Sequence, residues 1–328
     1  MMPRPMVASM QRWQQNMKSS SVMLLLLCLL LPVDAVQAES LLHADHPLAG
    51  KIWDMQERRM LDERTLLERI AAADVLLLGE THDNSQHHAL QLKLLQVRLD
   101  SGARPALLFE QFDRERQLAL DEALAKTPPD AALEAAAGLL KGWDWKFYKP
   151  LVAAGLEYKL PVYAANFSRE LARPVIRQGF SAVDAAELKR LAVEAVWSER
   201  QQQYLTHLIE GTHCGQVDVV LRDGLVRSQR LRDAVMADAA AAAASMERGV
   251  VGIVGRGHAR RDIGMPLYLA ARYPQARVYT IGLVEVSPGM ESPEAYEQER
   301  ATDAPVYDAI WFTARVDRPD PCAAFGKK

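Results

Sequence analysis

The chain has 328 residues, 49% of them hydrophobic and 25% charged, which suits one large buried core or two small ones and excludes a mostly disordered protein. Its formal charge of -3 lacks the basic excess that a polyanion partner requires, so no nucleic acid partner is expected.

At the N-terminus, Arg4, Arg12 and Lys18 precede an unbroken apolar run, Val22 to Leu31, followed by Pro32 and the small-residue pattern Val36-Gln37-Ala38. This reads as a secretory signal peptide cleaved after Ala38. The apolar core of roughly ten residues is about half of what a bilayer span needs, so a retained transmembrane helix is the weaker reading. An exported, periplasmic product is expected. Cys28 lies inside the run. Lipid attachment there would want a small residue before the cysteine, and Leu27 takes that place, so a soluble product is expected over one anchored through Cys28. Cys214 and Cys322 remain, an even pair in an oxidising compartment, which predicts a disulfide.

Beyond residue 38, a polar lead to Gly50 is followed by a helix expected over residues 53–72, with Leu61, Leu66, Leu67 and Ile70 at helical spacing. Val75 to Leu78 is a short buried strand ending at Gly79, after which Glu80, His82, Asp83, His87 and His88 crowd together. Asp83, Asn84 or Ser85 can cap the next helix, whose Leu92, Leu95 and Leu99 repeat at three and four. Further strands are expected at Ala106–Phe109, closing on Glu110, at Pro161–Ala165, closing on Asn166, and at Val250–Val254, closing on Gly255-Arg256-Gly257-His258. Arg277–Val286 and Tyr307–Ala314 complete the set. Between the second and third strands lies a helical insert with Trp143, Trp145, Phe147 and Tyr148, expected to end at Pro150. Residues 181–248 contain no convincing strand and read as a helical subdomain. Strands alternating with helices predict an α/β fold: a largely parallel sheet covered on both faces, in a single domain over residues 39–328.

The chemistry gathers at strand ends, where open α/β sheets bind ligands. If residues 80 to 82 stay extended, Glu80 and His82 point the same way. With Glu110 and His258 they offer two carboxylates and two imidazoles, a set suited to a divalent transition metal or to acid and base work on a substrate. The plain alternative is that each caps a strand-to-helix turn. His87 and His88, adjacent in a helix, point about 100° apart, so one can face the cleft while the other faces solvent. His213 reads as structural, and His43, His46 and His207 as surface residues. Gln229, Arg232, Asp233 and Met236 share one helical face, either solvated or roofing the site with Arg232 towards an anionic ligand group. The aromatic cluster is core by default, though a tyrosine at a cleft can bind ferric iron as phenolate.

The segments GETHDNSQHH, FEQFDRERQ, WKFYKPLVAAG, AANFSRE, SQRLRDAVMA, GRGHARRDIGMPLYL and YDAIWFTARVDRPDPCAAF, in this order from about Asp74 to Phe325, resemble the ChaN-type haem-binding proteins of the haem-binding-uptake branch of the Tiki superfamily. The resemblance implies an α/β fold with a helical insertion and an exported protein of haem or iron uptake. A tyrosine would hold the iron, with haems meeting face to face across a homodimer and an outer-membrane haem uptake system as a partner. Tyr148 is then the candidate axial ligand, with His82, His88, Arg114, Asn166, Arg232 and His258 as further haem contacts. More distant relatives imply an alternative, a metal-dependent hydrolase in which Glu80, His82, Glu110 and His258 hold the metal and Glu80 takes the proton. The lack of a helix with two histidines four apart counts against a zinc-protease type of site. A third reading is an interaction protein with a vestigial cleft. One departure from the family pattern is Phe109-Glu110 where a Met-Glu pair is common, which retains the carboxylate.

Overall fold

The computed structural model describes residues 41–140, 142–194, 197–246, 249–297, 300–320 and 322–323. The expected signal peptide, its expected cleavage after Ala38 and Cys28 lie outside the described residues. In chain order the elements are β1 (Leu41–Leu42), β2 (Ile52–Asp54), β3 (Arg59–Leu61), α1 (Glu63–Ala71), β4 (Val75–Glu80), α2 (Ser85–Asp100), β5 (Ala106–Asp113), α3 (Gln117–Leu124), α4 (Pro129–Ala137), α5 (Trp145–Glu157), β6 (Val162–Asn166) and α6 (Arg169–Gln178). Then follow α7 (Ala185–Arg190), α8 (Glu199–Thr212), α9 (Val219–Ala244), β7 (Val250–Gly255), α10 (Met265–Arg272), β8 (Val278–Glu285), β9 (Ala309–Thr313) and β10 (Arg315–Val316).

Eight strands make the main sheet in the order β3-β2-β9-β8-β4-β7-β5-β6, and the six from β9 to β6 run parallel. The expected largely parallel α/β sheet is the one found. Strand alternation splits the core into two layers: Val75 and Leu77 of β4 face one, Leu76 and Leu78 the other. The first layer is filled by α6, α9 and α10 through residues such as Val175, Val235 and Leu269, the second by α1, α2 and α5 through Leu66, Leu95 and Leu151. From β4 the chain crosses over β7 to β5, whereas from β7 it crosses over β4 to β8. The chain direction therefore reverses between β4 and β7, and a crevice opens above their carboxyl ends.

Three local expectations are corrected. Residues 53–61 are a hairpin and not helix, because Ile52 and Trp53 pair with Trp311 and Ile310 of β9, while Asp54 accepts from the backbone of Gln56 and Glu57 to turn the chain. The helix starts only at Glu63, capped by Asp62. Pro150 lies inside α5 instead of ending it, near the start, where only one backbone hydrogen bond is forgone. Residues 181–248 are helix and turn wherever they are described, but α9 is no outlying cover: it packs on β5, β6 and β7, with Ala234, Ala237 and Ala240 in the main core. The Cys214–Cys322 disulfide is formed, joining the end of the α8 turn to the C-terminal segment.

Candidate functional site

The last residue of β4, Glu80, lies in register with the last residue of β7, Gly255, so the two strands end side by side at the crevice. Beyond Glu80 the chain stays extended for two residues, and the Glu80 and His82 side chains meet as the two-residue period requires: His82 Nδ1 donates to Glu80 Oε1 at 2.8 Å. The same oxygen accepts from Tyr148 Oη at 2.7 Å and from Gln111 Nε2 at 3.3 Å. Glu80 Oε2 is 3.1 Å from His88 Nδ1 but out of line for a hydrogen bond, and it is otherwise unpartnered.

On the opposite face of the sheet lies a second group. Glu110 Oε2 accepts from Gly255 N at 2.6 Å, and its Oε1 is 3.2 Å from His258 Nε2. The other ring nitrogen of His258 reaches Asp233 Oδ1 on α9 at 2.6 Å, and the Gln229 amide packs 3.2 Å from it. All three charged side chains are buried. Burial alone would depress the His258 imidazole, but Glu110 and Asp233 outweigh it and push the pKa up to about 10. Burial raises Glu110, and His258 more than reverses that, holding it below the usual carboxylate range. For Asp233 burial wins over His258, and the pKa rises to about 6. The group is an imidazolium held between two carboxylates.

His82 links the two groups. A Cβ on Gly255 would stand 2.8 Å from His82 Cε1 and 3.3 Å from Glu110 Oε2, so the absence of a side chain there is what lets the ring lie across the strand end. Burial lowers the His82 pKa, and the hydrogen bond to Glu80 with the nearby Glu110 raises it further than that, to a net position above the ordinary value. Its side chain is 43% exposed, edge-on to Trp143 at 4.6 Å between ring centroids. Arg256, exposed and next to Gly255, lines a cavity of about 510 Å³ whose wall also includes Leu208, Val284, Met290 and Val306 with Arg260.

Glu80, His82, Glu110 and His258 therefore come together, as their positions at strand ends predicted. The described residues lend no support to their expected role as a metal-ligand set. Both nitrogens of His258 and both oxygens of Glu110 are already paired within the protein. Among the described residues no group of three or more His, Cys, Asp or Glu side chains is disposed to hold a metal ion. Tyr148, the expected iron ligand, is fully buried with its phenol donating to Glu80, and burial followed by the Glu80 charge raises its pKa. His88 is buried between Gln91 and the His82 carbonyl and stacked on Phe147, so it braces the loop. His258 faces its two carboxylates and not the open edge.

Three other expected contacts stand apart. Arg114 lies beside Glu115 and Glu187 at a separate apolar cavity under Phe167. Asn166 accepts from Phe167 N, and Arg232 stands over the Phe167 ring at 5.5 Å. The α9 face does roof the site, through Gln229 and Asp233. His46 is half-buried, its Nδ1 accepting from Leu48 N, and not a plain surface residue. Gln111, Gly255 and the pairing of Asp233 with His258 were not foreseen. For Gln111 the period of two along β5 was the available signal, since it puts Gln111 on the Glu80 face and Glu110 on the other.

A reversing parallel sheet with a polar crevice above the carboxyl ends of β4 and β7 defines the chain as an open α/β protein. The chain belongs to the family described as haem-binding uptake, Tiki superfamily, ChaN, whose model matches residues 66–269. It is similar to a solved structure described as cofacial heme binding to ChaN of Campylobacter jejuni: 21% identity, 79% of this chain and 95% of that one covered, TM-score 0.63. A structure of an erythromycin esterase EreC mutant in its open conformation is 13% identical, with 82% of this chain and 98% of that one covered and a TM-score of 0.47. No curated protein sequence matches.

Proposed function

We propose that the protein is an exported haem-binding protein of haem or iron handling, in which His82 presents its Nε2 to the iron. The observation that carries this is the state of one ring: Glu80 holds Nδ1, which fixes the tautomer and makes Nε2 the better donor, while the side chain is 43% exposed and stands edge-on to Trp143. Trp143, Trp145 and Phe147 give half-buried aromatic surface that suits a porphyrin, and Arg256 beside Gly255 is an exposed cation available to a propionate. Bound haem would supply a ferric iron able to accept a nitrogen donor. The chain's own part is to orient His82 through Glu80 and to flank it with apolar surface.

Family membership and the likeness to the ChaN structure support haem as the ligand. Export is supported by the N-terminal charge and apolar pattern, and the Cys214–Cys322 disulfide is in keeping with an oxidising compartment. An outer-membrane uptake system is the partner this role calls for, and pairing of two copies across their haems is carried over from the likeness to the relative.

Haemin titrated into the purified mature protein tests this through the Soret band. Saturable binding is expected, weakened at least about tenfold by His82→Ala, an iron–imidazole contact worth more than about 1.4 kcal/mol, and little changed by Tyr148→Phe. Loss of binding in Tyr148→Phe with His82→Ala unaffected would restore tyrosine ligation and sink the His82 assignment.

A further inference from the structure

The loop that carries His82 is held by a segment more than two hundred residues away. His87 Nδ1 accepts from Thr81 N, so its Nε2 carries the proton and donates to Thr313 Oγ1 at 2.8 Å. Gln86 Oε1 accepts from Ala314 N at 3.0 Å, and Asn84 Nδ2 donates to Ala314 O at 3.0 Å and to Glu285 at 2.8 Å. Arg318 then grips Asp83 with Nε and Nη2 at 2.9 and 2.7 Å and Glu285 with Nη1 and Nη2 at 2.6 and 2.7 Å. Thus Asp83, Asn84, Gln86 and His87 all bond to β9, β10 or the residues beside them. Four residues past Arg318, Cys322 is bonded to Cys214 beyond the end of α8.

We propose that Thr313–Arg318 is a clamp that positions His82, with Arg318 as its positioning residue, and that the thiol–disulfide state of Cys214–Cys322 sets how firmly the clamp closes. The guanidinium fork is what the junction requires: one planar cation meets two carboxylates from different elements, which a lysine ammonium cannot do with the same geometry. The disulfide keeps the end of the segment near the loop, so the clamp re-forms whenever it opens. A dithiol reductant would break the bond by exchange: Cys214 and Cys322 each leave as a thiol, and the reductant closes to its own disulfide. Both cysteines are partly solvent-exposed, which leaves the bond open to such attack. Release of the end would loosen the loop and with it the His82 ring.

This rests on the reading of His82 as the iron ligand, so the test separates the two. Amide hydrogen exchange and haemin release are measured on the mature protein, oxidised, reduced with dithiothreitol, and as Arg318→Gln, Arg318→Lys and the Cys214→Ser, Cys322→Ser pair. The clamp predicts faster exchange over residues 81–88 with Val75–Glu80 and Val250–Gly255 still protected. Haemin release should speed up about tenfold, the scale of one lost charge-assisted contact. Arg318→Lys should not restore it. Should Arg318→Gln fail to fold, the reduced protein and the serine pair carry the test. Unchanged exchange over 81–88, or faster exchange with haemin release unchanged, overturns the proposal. If haemin does not bind the oxidised wild type at all, the haem reading falls. The clamp is then judged by exchange and by the rate at which diethyl pyrocarbonate modifies His82 relative to the exposed His207, which should rise on reduction; no rise overturns it.

Discussion

Replacing Gly255 by alanine strikes the site at its tightest point. The added Cβ would lie 2.8 Å from His82 Cε1, 3.0 Å from Nε2 and 3.3 Å from Glu110 Oε2. Gly255 is not among the glycines with positive φ, so alanine brings no backbone strain and the effect is steric. Glu110 cannot yield easily, being held by Gly255 N and His258, whereas the His82 ring is 43% exposed and can swing outward. That movement breaks the 2.8 Å contact with Glu80. A hydrogen bond to a charged group contributes about 1.5–3 kcal/mol, and at about 1.4 kcal/mol per decade this becomes roughly a ten- to hundredfold loss of haemin affinity. Folding stability should fall by less, about 1 kcal/mol, because the displaced ring moves into solvent and leaves no cavity. Haemin absorbance titration and urea unfolding of the same preparations measure the two losses. Affinity equal to wild type, or a stability loss larger than the binding loss, would refute the reasoning.

Other outcomes follow from the same geometry. The raised His258 pKa contributes stability that is fully present below about pH 6.5 and is lost as pH rises through about 10. Unfolding free energy from urea titrations should therefore decline across that window in wild type, and the difference from His258→Gln should shrink; a difference constant with pH would contradict the buried imidazolium. The lowered Glu285 pKa, where burial opposes but Arg318, Asn84 and Val316 prevail to give about 2, contributes stability present above about pH 4.5 and lost as pH falls through 2. Glu285→Gln should flatten that acid limb, as followed by circular dichroism. Gly224→Ala should destabilise by about 1–3 kcal/mol despite alanine's better helix propensity, since its Cβ would sit 2.2 Å from Ile176 O where α9 crosses α6; a raised melting temperature would disprove the close crossing.

Much of the fold is written in neighbouring residues. The apolar runs at Val75, Ala106, Val250 and Arg277 each mark a parallel strand, and their flanking turns set the alternation of strand and helix. The pairing of Glu80 with His82 is also local, since a two-residue period in extended chain puts both side chains on one side. The hairpin at Ile52–Leu61 was hidden because Trp53 and Met60 carry no helix-breaking mark, and their strand state comes from β9, far along the chain.

The destinations of the chemical groups are another matter. Periodicity in the sequence shows which side of a helix Asp233 occupies, but only the crossing of α9 over β5 and β7 brings it to His258. It is the same for Tyr148: aromatic clustering is visible, yet whether its phenol meets a ligand or the Glu80 carboxylate depends on how α5 lies against α2. The loop around His82 is held by residues 313–318, and no local pattern encodes that contact. Sequence by itself determined the strands, the helices and the residues at strand ends, because backbone propensity and side-chain period act between neighbours. The tertiary structure alone decided which carboxylate faces which imidazole, because strand order and helix crossing bring together groups whose separation along the chain carries no signal of contact.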